Sequence, residues 1–276
     1  MPPQSGGMEI NMDKILLFIP MYNCEKQIVR VLDQLHGEIL NYINEVLIVN
    51  NRSTDNGEKV VSEYIEHSEK KVKMTLVRNN ENYGLGGSHK VAFSYAIKNE
   101  FDYMIVLHGD DQGRIQDMLP LLQSGKYKNY DACLGGRFAP GSSLEGYSKF
   151  RTFGNRVFNI IFSFAIHQKV YDLGAGLNMY KVSMLKSNYY HKFSDNLAFN
   201  CYMLLAVDCY KQKICFFPIS WREEDQRSNV KMTSQAIQTL KLAMKYIISG
   251  QKYLKSEFRQ ADRQIVEYKA EIIQQR

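Results

Sequence analysis

The chain has 276 residues, of which 45% are hydrophobic, and its formal net charge is +6. A chain of this size and composition can bury one sizeable core with a modest appendage. Its five cysteines are odd in number and form no Cys-x-x-Cys pair, so neither a disulfide framework nor a zinc site is indicated. Free thiols suit a reducing cytosol, and we expect a cytoplasmic protein. The positive charge favours an anionic partner, either a phosphorylated substrate or an acidic membrane surface, whereas the dispersed basic residues carry no motif for nucleic acid.

Two further features concern membranes and the start of the chain. The longest apolar run, residues 157–166, has about half the length needed to cross a bilayer, so no membrane span is predicted. Residues 1–12 contain Pro, Gly and Ser without periodicity, which predicts a disordered leader outside the fold.

Strand-like and helix-like patterns alternate from residue 14 onward. In the first half, strands are predicted at 15–19, 45–49, 72–77 and 103–107, with helical patterns at 28–35, 58–65 and 88–98. In the second half, helices are expected near 149–165 and 196–212, and strands near 177–181 and 214–220. This alternation predicts right-handed βαβ units and therefore an α/β fold with a mostly parallel sheet flanked by helices.

The stretch Met-Ile-Val-Leu-His-Gly-Asp-Asp-Gln at 104–112 is the most informative part of the chain. An apolar strand there runs directly into Asp110, Asp111 and Gln112. Open α/β sheets bind ligands at the carboxyl ends of their strands, and Mg²⁺ or Mn²⁺ binds through one or two carboxylates plus substrate phosphates. The pattern indicates a metal that holds a diphosphate, although a solvated turn or an N-cap for a helix over 112–122 would have the same sequence.

Polar or turn-forming residues follow every strand of the first half. Because parallel strands end at the same edge of a sheet, we expect these residues to form one ligand crevice, although each group alone would suit an ordinary turn. The candidates are Pro20, Tyr22, Asn23, Asn50, Asn51, Ser53, Asn82, Gly84, Gly87, His108, Asp110 and Gln112. The glycines at 84–87 lead into a helix and could present backbone N–H groups to a phosphate. They lack the full dinucleotide-binding pattern, which argues against a nicotinamide enzyme.

Together these motifs resemble the family 2 glycosyltransferases of the GT-A fold, and in particular the branch of dolichyl- or polyprenyl-phosphate sugar synthases. Residues 20–23 resemble the family's opening Pro-x-Tyr-Asn, 49–55 its Asp-Asp-x-Ser-x-Asp segment, and 108–112 its Asp-x-Asp-x-Gln metal motif. Further matches are at 82–86, at 135–138, at 172–181 and at 218–231, where the family has a late Arg…Ser-Lys element. The resemblance extends from residue 14 to residue 244.

The resemblance implies a metal-dependent transferase that moves a sugar from a GDP- or UDP-linked donor to a polyprenyl phosphate or a cell-surface glycan. It implies Mg²⁺ or Mn²⁺ near Asp110, Gln112 and His108, with Arg137 stabilising the leaving diphosphate. The residues implied in donor and acceptor binding are Pro20, Tyr22, Asn23, Asn51, Ser53, Asn82, Gly84, Gly87, Arg151, Arg222, Ser228 and Lys231. A lipid phosphate needs no general base, whereas a sugar hydroxyl would need one, supplied by Asp195 or Asp172.

The chain also departs from the family pattern. Neutral residues replace acidic ones at Cys24, at 50–51 and at His108, which predicts weaker metal binding. His108 either replaces the lost carboxylate as a ligand or hydrogen-bonds a phosphate. Asp111 falls at a variable position and is expected to be solvated. Because of the lost acids, a non-catalytic protein that binds sugar nucleotides is one alternative. A nucleotidyltransferase is a second alternative, but the chain lacks the early Gly-rich signature of that class.

The sequence divides into the leader at 1–12, a catalytic domain at 13–231 and a helical extension at 232–276. The extension begins with a predicted amphipathic helix over 231–249, which Gly250 interrupts. Beyond it, apolar residues recur at spacings of four and three, namely Leu254, Phe258, Ala261, Ile265, Tyr268 and Ile272. Such a helix packs on its own core, forms a seam between two copies, or lies on the cytoplasmic face of a membrane, and its mixed charges favour self-association.

Overall fold

The structure, a computed structural model, describes residues 13–224, 232–264 and 267–276. The predicted leader and the candidate residues Ser228 and Lys231 lie outside the described residues. The strands in the described part are β1 (Ile15–Met21), β2 (Glu45–Asn50), β3 (Lys73–Asn79), β4 (Tyr103–Leu107), β5 (Ala132–Gly136), β6 (Ser143–Glu145), β7 (Leu177–Lys181), β8 (Ile214–Pro218), β9 (Ser220–Arg222) and β10 (Ala270–Gln275).

Eight of these strands form one sheet in the order β10-β3-β2-β1-β4-β7-β5-β8. Strands β3, β2, β1 and β4 run parallel to one another, and β5 runs parallel to β8. Strand β7 lies antiparallel between β4 and β5, and β10 lies antiparallel on the outer edge of β3. Strands β6 and β9 form a small parallel ladder of their own. The predicted α/β fold with a mostly parallel sheet is confirmed.

The α-helices in the described residues are α1 (Glu25–Asp33), α2 (Gly57–His67), α3 (Gly84–Lys98), α4 (Leu119–Gln123), α5 (Lys149–Ile166), α6 (Val182–Leu185), α7 (Phe199–Cys209) and α8 (Met232–Leu254). The helix predicted over 112–122 begins later, as a 3₁₀ turn at Ile115–Met118 followed by α4. Pro120 lies in the first turn of α4, where its missing N–H costs no hydrogen bond. None of the helices within the described residues is long and apolar enough to cross a membrane.

Both faces of the sheet are covered, so alternate residues of the central strands enter two different cores. Leu16 and Phe18 of β1 face one core, which is completed by α3, α5, α7 and α8. Ile15, Leu17 and Ile19 of the same strand face the other core, which includes side chains from α1, α2 and α4. All five side chains are buried, as expected for a strand covered on both sides.

The predicted helix over 254–272 is wrong. Helix α8 is kinked at Gly250 and ends at Leu254, and the chain returns to the sheet as β10. Part of this stretch packs on its own chain: Leu254 is buried, and the ring of Phe258 lies 4.7 Å from that of Tyr202, whereas Ile272 is 60% exposed and Ile265 lies outside the described residues. Pairing with β3 supplies backbone hydrogen bonds to an otherwise open sheet edge, which outweighs the local helical pattern. The helix on which the predicted seam between two copies depends is therefore replaced, in the described residues, by the end of α8 and by β10, while self-association and the division of the chain at residue 231 stay predictions.

Candidate active site

The carboxyl ends of β1, β2 and β4 meet at one edge of the sheet. The backbone N–H of Gly109 donates to the carbonyl of Pro20 (3.1 Å), and that of Asn51 donates to the carbonyl of the last residue of β1 (2.9 Å). On the other side of β4, the N–H of His108 donates to the carbonyl of Gly176 (2.9 Å). The structure thus brings together the loops that carry most of the candidate residues.

Asn51 is a buried side chain that joins the loops after β2 and β3. Its Nδ2 donates to Oδ1 of Asn82 (2.8 Å). Its Oδ1 accepts from the backbone N–H of Tyr83 (2.9 Å) and from Nδ2 of Asn79 (2.9 Å). A carboxylate could accept these hydrogen bonds but could not donate to Asn82, so the amide is the group that satisfies this position.

Asn50 plays a similar part in the loop that faces β1. Its Nδ2 donates to Glu58 (2.6 Å), and its Oδ1 accepts from the N–H of Ser53 (2.9 Å). The hydroxyl of Ser53 accepts from the N–H of Asn23 (3.1 Å), while Oδ1 of Asn23 accepts from the N–H of Thr54 (2.8 Å). An acid at position 50 would oppose Glu58, which gives a local reason for a neutral residue where the family pattern has an acidic one.

The glycines at the start of α3 allow close packing rather than an open phosphate cradle. Gly84 has a φ of +71°, and a Cβ there would lie 2.5 Å from the carbonyl oxygen of Asp195. The N–H of Gly86 donates to the same carbonyl (2.7 Å). A Cβ at Gly87 would lie 2.3 Å from the Cβ of Tyr83. The N–H of Gly86 is therefore used within the protein.

Asp195 belongs to a charge cluster under this turn. The Nζ of Lys90, whose side chain is fully buried, donates to Oδ1 of Asp195 (2.6 Å) and to the carbonyl of Phe193 (2.6 Å). The hydroxyl of Tyr268 donates to the same carboxylate (2.7 Å). Burial lowers the pKa of Lys90 to about 8, against the opposing effect of Asp195. The cluster joins α3, the loop before α7 and the C-terminal segment.

Asp110 and His108 follow β4 and are partly exposed by surface area, yet protein surrounds them closely enough for burial to dominate their titration. Burial raises the pKa of Asp110 to about 6, although N–H groups of the loop donate to it. Burial lowers the pKa of His108 to about 4, and the charge of Arg137 adds to this effect. Within the described parts of the chain, the buried Nε2 of His108 has no hydrogen-bond partner. His108 is therefore neutral at pH 7, and Asp110 is an anion above about pH 6.

The expectation that Asp111 is solvated is wrong. This residue is fully buried with a φ of +60°, and its carboxylate accepts from Nε of Arg30 (2.7 Å), from the guanidinium of Arg222 and from Nε2 of Gln34 (3.0 Å). Arg222 also donates through Nε to the carbonyl of Asp111 (3.1 Å). A buried carboxylate is stable only with such partners, so Asp111 anchors the two arginines rather than meeting water.

Arg137 directly follows β5 and forms a bidentate pair with Asp172. Its Nε and one terminal nitrogen donate to the two carboxylate oxygens (2.7 and 2.8 Å), and the side chains are 11% and 1% exposed. The other terminal nitrogen donates to the hydroxyl of Tyr147 (3.3 Å), and the guanidinium lies 5.0 Å from the ring centre of Trp221. Burial opposes the charged form, but Asp172 raises the pKa of Arg137 above its usual value. The site therefore contains a permanent positive charge of fixed orientation.

Arg151 lies on the first turn of α5 beside this pair. Its guanidinium donates to both carboxylate oxygens of Glu223 (2.7 and 2.6 Å) and lies 4.5 Å from the ring centre of Tyr147. Tyr147 is thus in contact with both Arg137 and Arg151. Of the predicted acceptor-binding cations that the structure describes, Arg151 and Arg222 each have a carboxylate partner.

Residues 17–188, more than half of the chain, match the family described as Glycosyl transferase family 2. The chain belongs to this family. An uncharacterized protein of Methanocaldococcus jannaschii is 27% identical over 240 residues, which cover 84% of this chain and 99% of the relative.

Solved structures of glycosyltransferases share the fold of this family 2 member. Mannosyl-3-phosphoglycerate synthase from Rubrobacter xylanophilus matches with a TM-score of 0.60 at 12% identity, over 87% of this chain and 75% of that one. Glucosyl-3-phosphoglycerate synthase from Mycobacterium tuberculosis, in complex with Mn²⁺, UDP-glucose and phosphoglyceric acid, matches with a TM-score of 0.58 at 11% identity, over 86% and 80%. At such identities the likeness shows the fold alone, and the expected GT-A fold is confirmed.

The residues of this glycosyltransferase fit a divalent cation held mainly by its substrate. No group of three or more His, Cys, Asp or Glu could hold a metal within residues 13–224, 232–264 and 267–276. Asp110, however, is an anion that burial destabilises, and two residues before it His108 presents a buried nitrogen without a partner in that same part of the chain. These groups, with Gln112, suit a cation whose other ligands are phosphate oxygens and water.

Sequence reasoning does not identify the residues that orient the predicted site groups. These are Asp172 as the partner of Arg137, Glu223 as the partner of Arg151, Lys90 as the partner of Asp195, and Tyr147 and Trp221 beside Arg137. The place of Asp172 at the start of the matched segment 172–181 was the one sign available for such a role. The other two ion pairs join residues that are 72 and 105 positions apart in the sequence.

Proposed function

We propose that this family 2 glycosyltransferase moves a hexosyl group from a nucleotide-sugar donor to a polyprenyl phosphate, with Mg²⁺ or Mn²⁺ held at Asp110. One observation carries the proposal: a destabilised carboxylate, Asp110, lies within electrostatic reach of a fixed guanidinium, Arg137, at the carboxyl ends of the strands. A carboxylate that attracts a cation and a permanent positive charge are the groups that a leaving diphosphate requires.

The donor nucleotide is assigned to the loops after β1 and β2. Tyr22 is 45% exposed at this edge, so its ring is accessible for stacking against a base. Asn23 and Ser53 hold the two loops together beside it. The mycobacterial neighbour binds UDP-glucose with Mn²⁺ on the same fold, which supports a nucleotide-sugar donor and a divalent cation here.

The chemistry assigned to Arg137 follows from its hydrogen bonds. A guanidinium has five N–H donors. Three of them serve Asp172 and Tyr147, so two remain for the oxygens of the diphosphate. Because its partners fix the plane of the group, Arg137 stabilises the charge that develops on the leaving phosphate without reorganising. A bound cation would act on the same charge as a Lewis acid.

The acceptor assignment rests on the state of the available bases. The carboxylate of Asp195 is not free to act as a base, because Lys90 and Tyr268 donate hydrogen bonds to it. The carboxylate of Asp172 is likewise paired with Arg137. A sugar hydroxyl would need such a base, whereas a phosphate oxygen is already anionic. This favours polyprenyl phosphate as the acceptor.

Cations for that acceptor phosphate lie on the same side of the cleft. Arg151 is 32% exposed and Arg222 is 23% exposed as side chains, so both reach the surface while their partners hold them in place. The matched late element adds Ser228 and Lys231 from the sequence.

A transfer assay tests the proposal. Radiolabelled UDP- and GDP-sugars, with and without Mn²⁺, are incubated with the protein and either polyprenyl phosphate or a soluble glycan. We expect label to move to the lipid only when the cation is present. Asp110→Asn should lower turnover by about 1,000-fold or more, because the cation and the charge of its ligand are lost together. Asp33→Asn, which alters an exposed carboxylate of α1, should leave turnover unchanged.

Other outcomes separate the alternatives. Transfer only to a sugar hydroxyl would contradict the acceptor and make Asp195 the first base to substitute. Nucleotide-sugar binding by calorimetry without transfer to either acceptor would instead support a non-catalytic sugar-nucleotide-binding protein.

A further inference from the structure

Helices α5 and α8 expose an unusual amount of apolar surface. On α5, the side chains that face solvent at spacings of three and four are Phe150, Phe153, Val157, Ile160 and Phe164, with exposures between 39% and 78%. On α8, before its kink, they are Ile237, Leu240, Met244 and Ile248, with exposures between 41% and 78%. Single exposed apolar residues are ordinary, but ordered stripes of this kind mark an interaction surface.

The two stripes lie on neighbouring helices. Helix α5 packs against α8, and both also pack against α7 beneath them. The spacings of three and four place each set on one side of its helix, opposite residues that enter the core. Phe162 and Ala165 of α5, and Leu242 and Ala243 of α8, are the buried counterparts. The exposed stripes are therefore not part of the fold's own packing.

The charged residues of these two helices have a single sign. Neither helix contains an Asp or a Glu in its sequence. Their charged residues are Lys149, Arg151, Arg156, Lys241, Lys245 and Lys252. All of them except Arg151, which pairs with Glu223, are exposed. Apolar stripes on helices whose own charged side chains are all basic are complementary to an anionic lipid surface, which offers both a hydrocarbon layer and negative head groups.

The surface begins beside the candidate active site. Phe150, the first residue of the α5 stripe, precedes Arg151, whose guanidinium contacts the ring of Tyr147. Tyr147 in turn accepts a hydrogen bond from Arg137. A bilayer against α5 would thus lie next to the cations assigned to the acceptor.

We infer that the α5–α8 face docks on an anionic lipid bilayer in the plane of the membrane interface. A second copy of this chain is the competing occupant of an apolar face. A two-fold contact there would place the lysines of one copy near those of the other, which like-charge repulsion disfavours. The inference concerns binding alone and stands apart from the proposed transfer reaction.

Vesicle sedimentation tests the docking without any donor or acceptor. Full-length protein is mixed with vesicles of phosphatidylcholine alone or with added phosphatidylglycerol, at low and high salt. We expect about tenfold or stronger binding to the anionic vesicles at low salt, and a decrease of about tenfold in the double variant Phe153→Ser/Ile160→Ser. The control Ile272→Ser removes a side chain of comparable exposure, 60%, on β10 and should bind as the parent does.

A second pair of variants removes charge without altering apolar packing. Lys241→Ser/Lys245→Ser should weaken anionic binding by about tenfold, whereas Lys98→Ser/Lys186→Ser, exposed lysines elsewhere, should not. Equal sedimentation of the parent, of Phe153→Ser/Ile160→Ser and of Lys241→Ser/Lys245→Ser would overturn the inference. A parent dimer in light scattering that dissociates in Phe153→Ser/Ile160→Ser would also overturn it, because a second copy would then occupy this face. A parent protein that binds vesicles but shows no transfer activity would contradict the proposed function and leave the docking inference intact.

Discussion

The two sides of the cleft are held by different kinds of interaction. On the side of β1, β2 and β3, neutral amides such as Asn50 and Asn51 join the loops through hydrogen bonds. On the side of β4, β5 and β9, ion pairs between Asp111 and Arg222, and between Asp172 and Arg137, fix the charged groups. The two buried arginine–aspartate pairs thus lie on the side of the cleft to which we assign the diphosphate and the acceptor.

The difference also predicts how each side responds to substitution. A buried ion pair contributes little compared with an apolar pair, but removing one partner leaves a charge without compensation. An amide that loses a donor leaves only a neutral group unsatisfied, which costs less. Changes on the charged side should therefore have the larger effects on both stability and turnover.

The largest effect on stability is expected for Asp172→Asn. This change leaves the buried guanidinium of Arg137 without its bidentate partner, so we expect stability to fall by about 3–5 kcal/mol. We also expect kcat/KM to fall by about 100-fold or more, because the orientation of Arg137 is lost. Urea denaturation and steady-state kinetics measure the two effects. Unchanged kinetics in a destabilised variant would show that the pair stabilises the fold alone. The difference between the two sides of the cleft would then have no bearing on turnover.

A smaller effect is expected for Asn51→Asp on the amide side. The carboxylate cannot donate to Asn82, but it still accepts hydrogen bonds from Asn79 and from the N–H of Tyr83, so stability should fall by only about 1–3 kcal/mol. The control Asn80→Asp, at an exposed position in the next loop, should be neutral. If Asn51→Asp kept full stability and bound Mn²⁺ more tightly in calorimetry, the neutral residue at position 51 would be explained by metal affinity rather than by the structure of the loop.

The sequence predicted the amide side better than the charged side. Local patterns located β4 at the residues where the structure has it, and placed the polar loops after β1, β2 and β3 at one edge of the sheet. The parallel sheet itself explains this success, because the carboxyl ends of its strands lie at the same edge regardless of which side chains follow them. Local periodicity failed at β10, where pairing with β3 decides the conformation.

The charged side depends on contacts that spacing cannot reveal. Asp111 meets Arg222 from a position 111 residues away, and Asp172 meets Arg137 across 35 residues. Asp111 can be buried only because its arginine partners compensate its charge. Since the sequence does not reveal those partners, its place at a variable motif position predicted a solvated side chain. The metal-binding role expected of Asp110 followed from its place at a strand end, whereas the role of Arg137 came from the family resemblance alone.

The pH dependence of turnover sharpens the comparison within the charged side. Burial raises the pKa of Asp110 to about 6, and because the anion is the form that attracts a cation, kcat/KM should fall tenfold per pH unit below about pH 6. His108 does not contribute this limb, since burial lowers its pKa to about 4 and it is already neutral there. The limb should therefore remain in His108→Asn. A limb that disappears in this variant would assign the titration to the imidazole.

The smallest effect is expected at the pair between Arg151 and Glu223. This pair tests whether exposed and buried ion pairs on the charged side have the same role. The two side chains are 32% and 20% exposed, so water screens them far more than it screens Arg137 and Asp172. Glu223→Gln should change stability by less than about 1 kcal/mol. It should also free Arg151 for the acceptor, so the KM for polyprenyl phosphate should fall by about two- to fivefold with kcat unchanged. A KM that rises instead would mean that Glu223 holds Arg151 in its binding position, and the exposed pair would then act in the same way as the buried one.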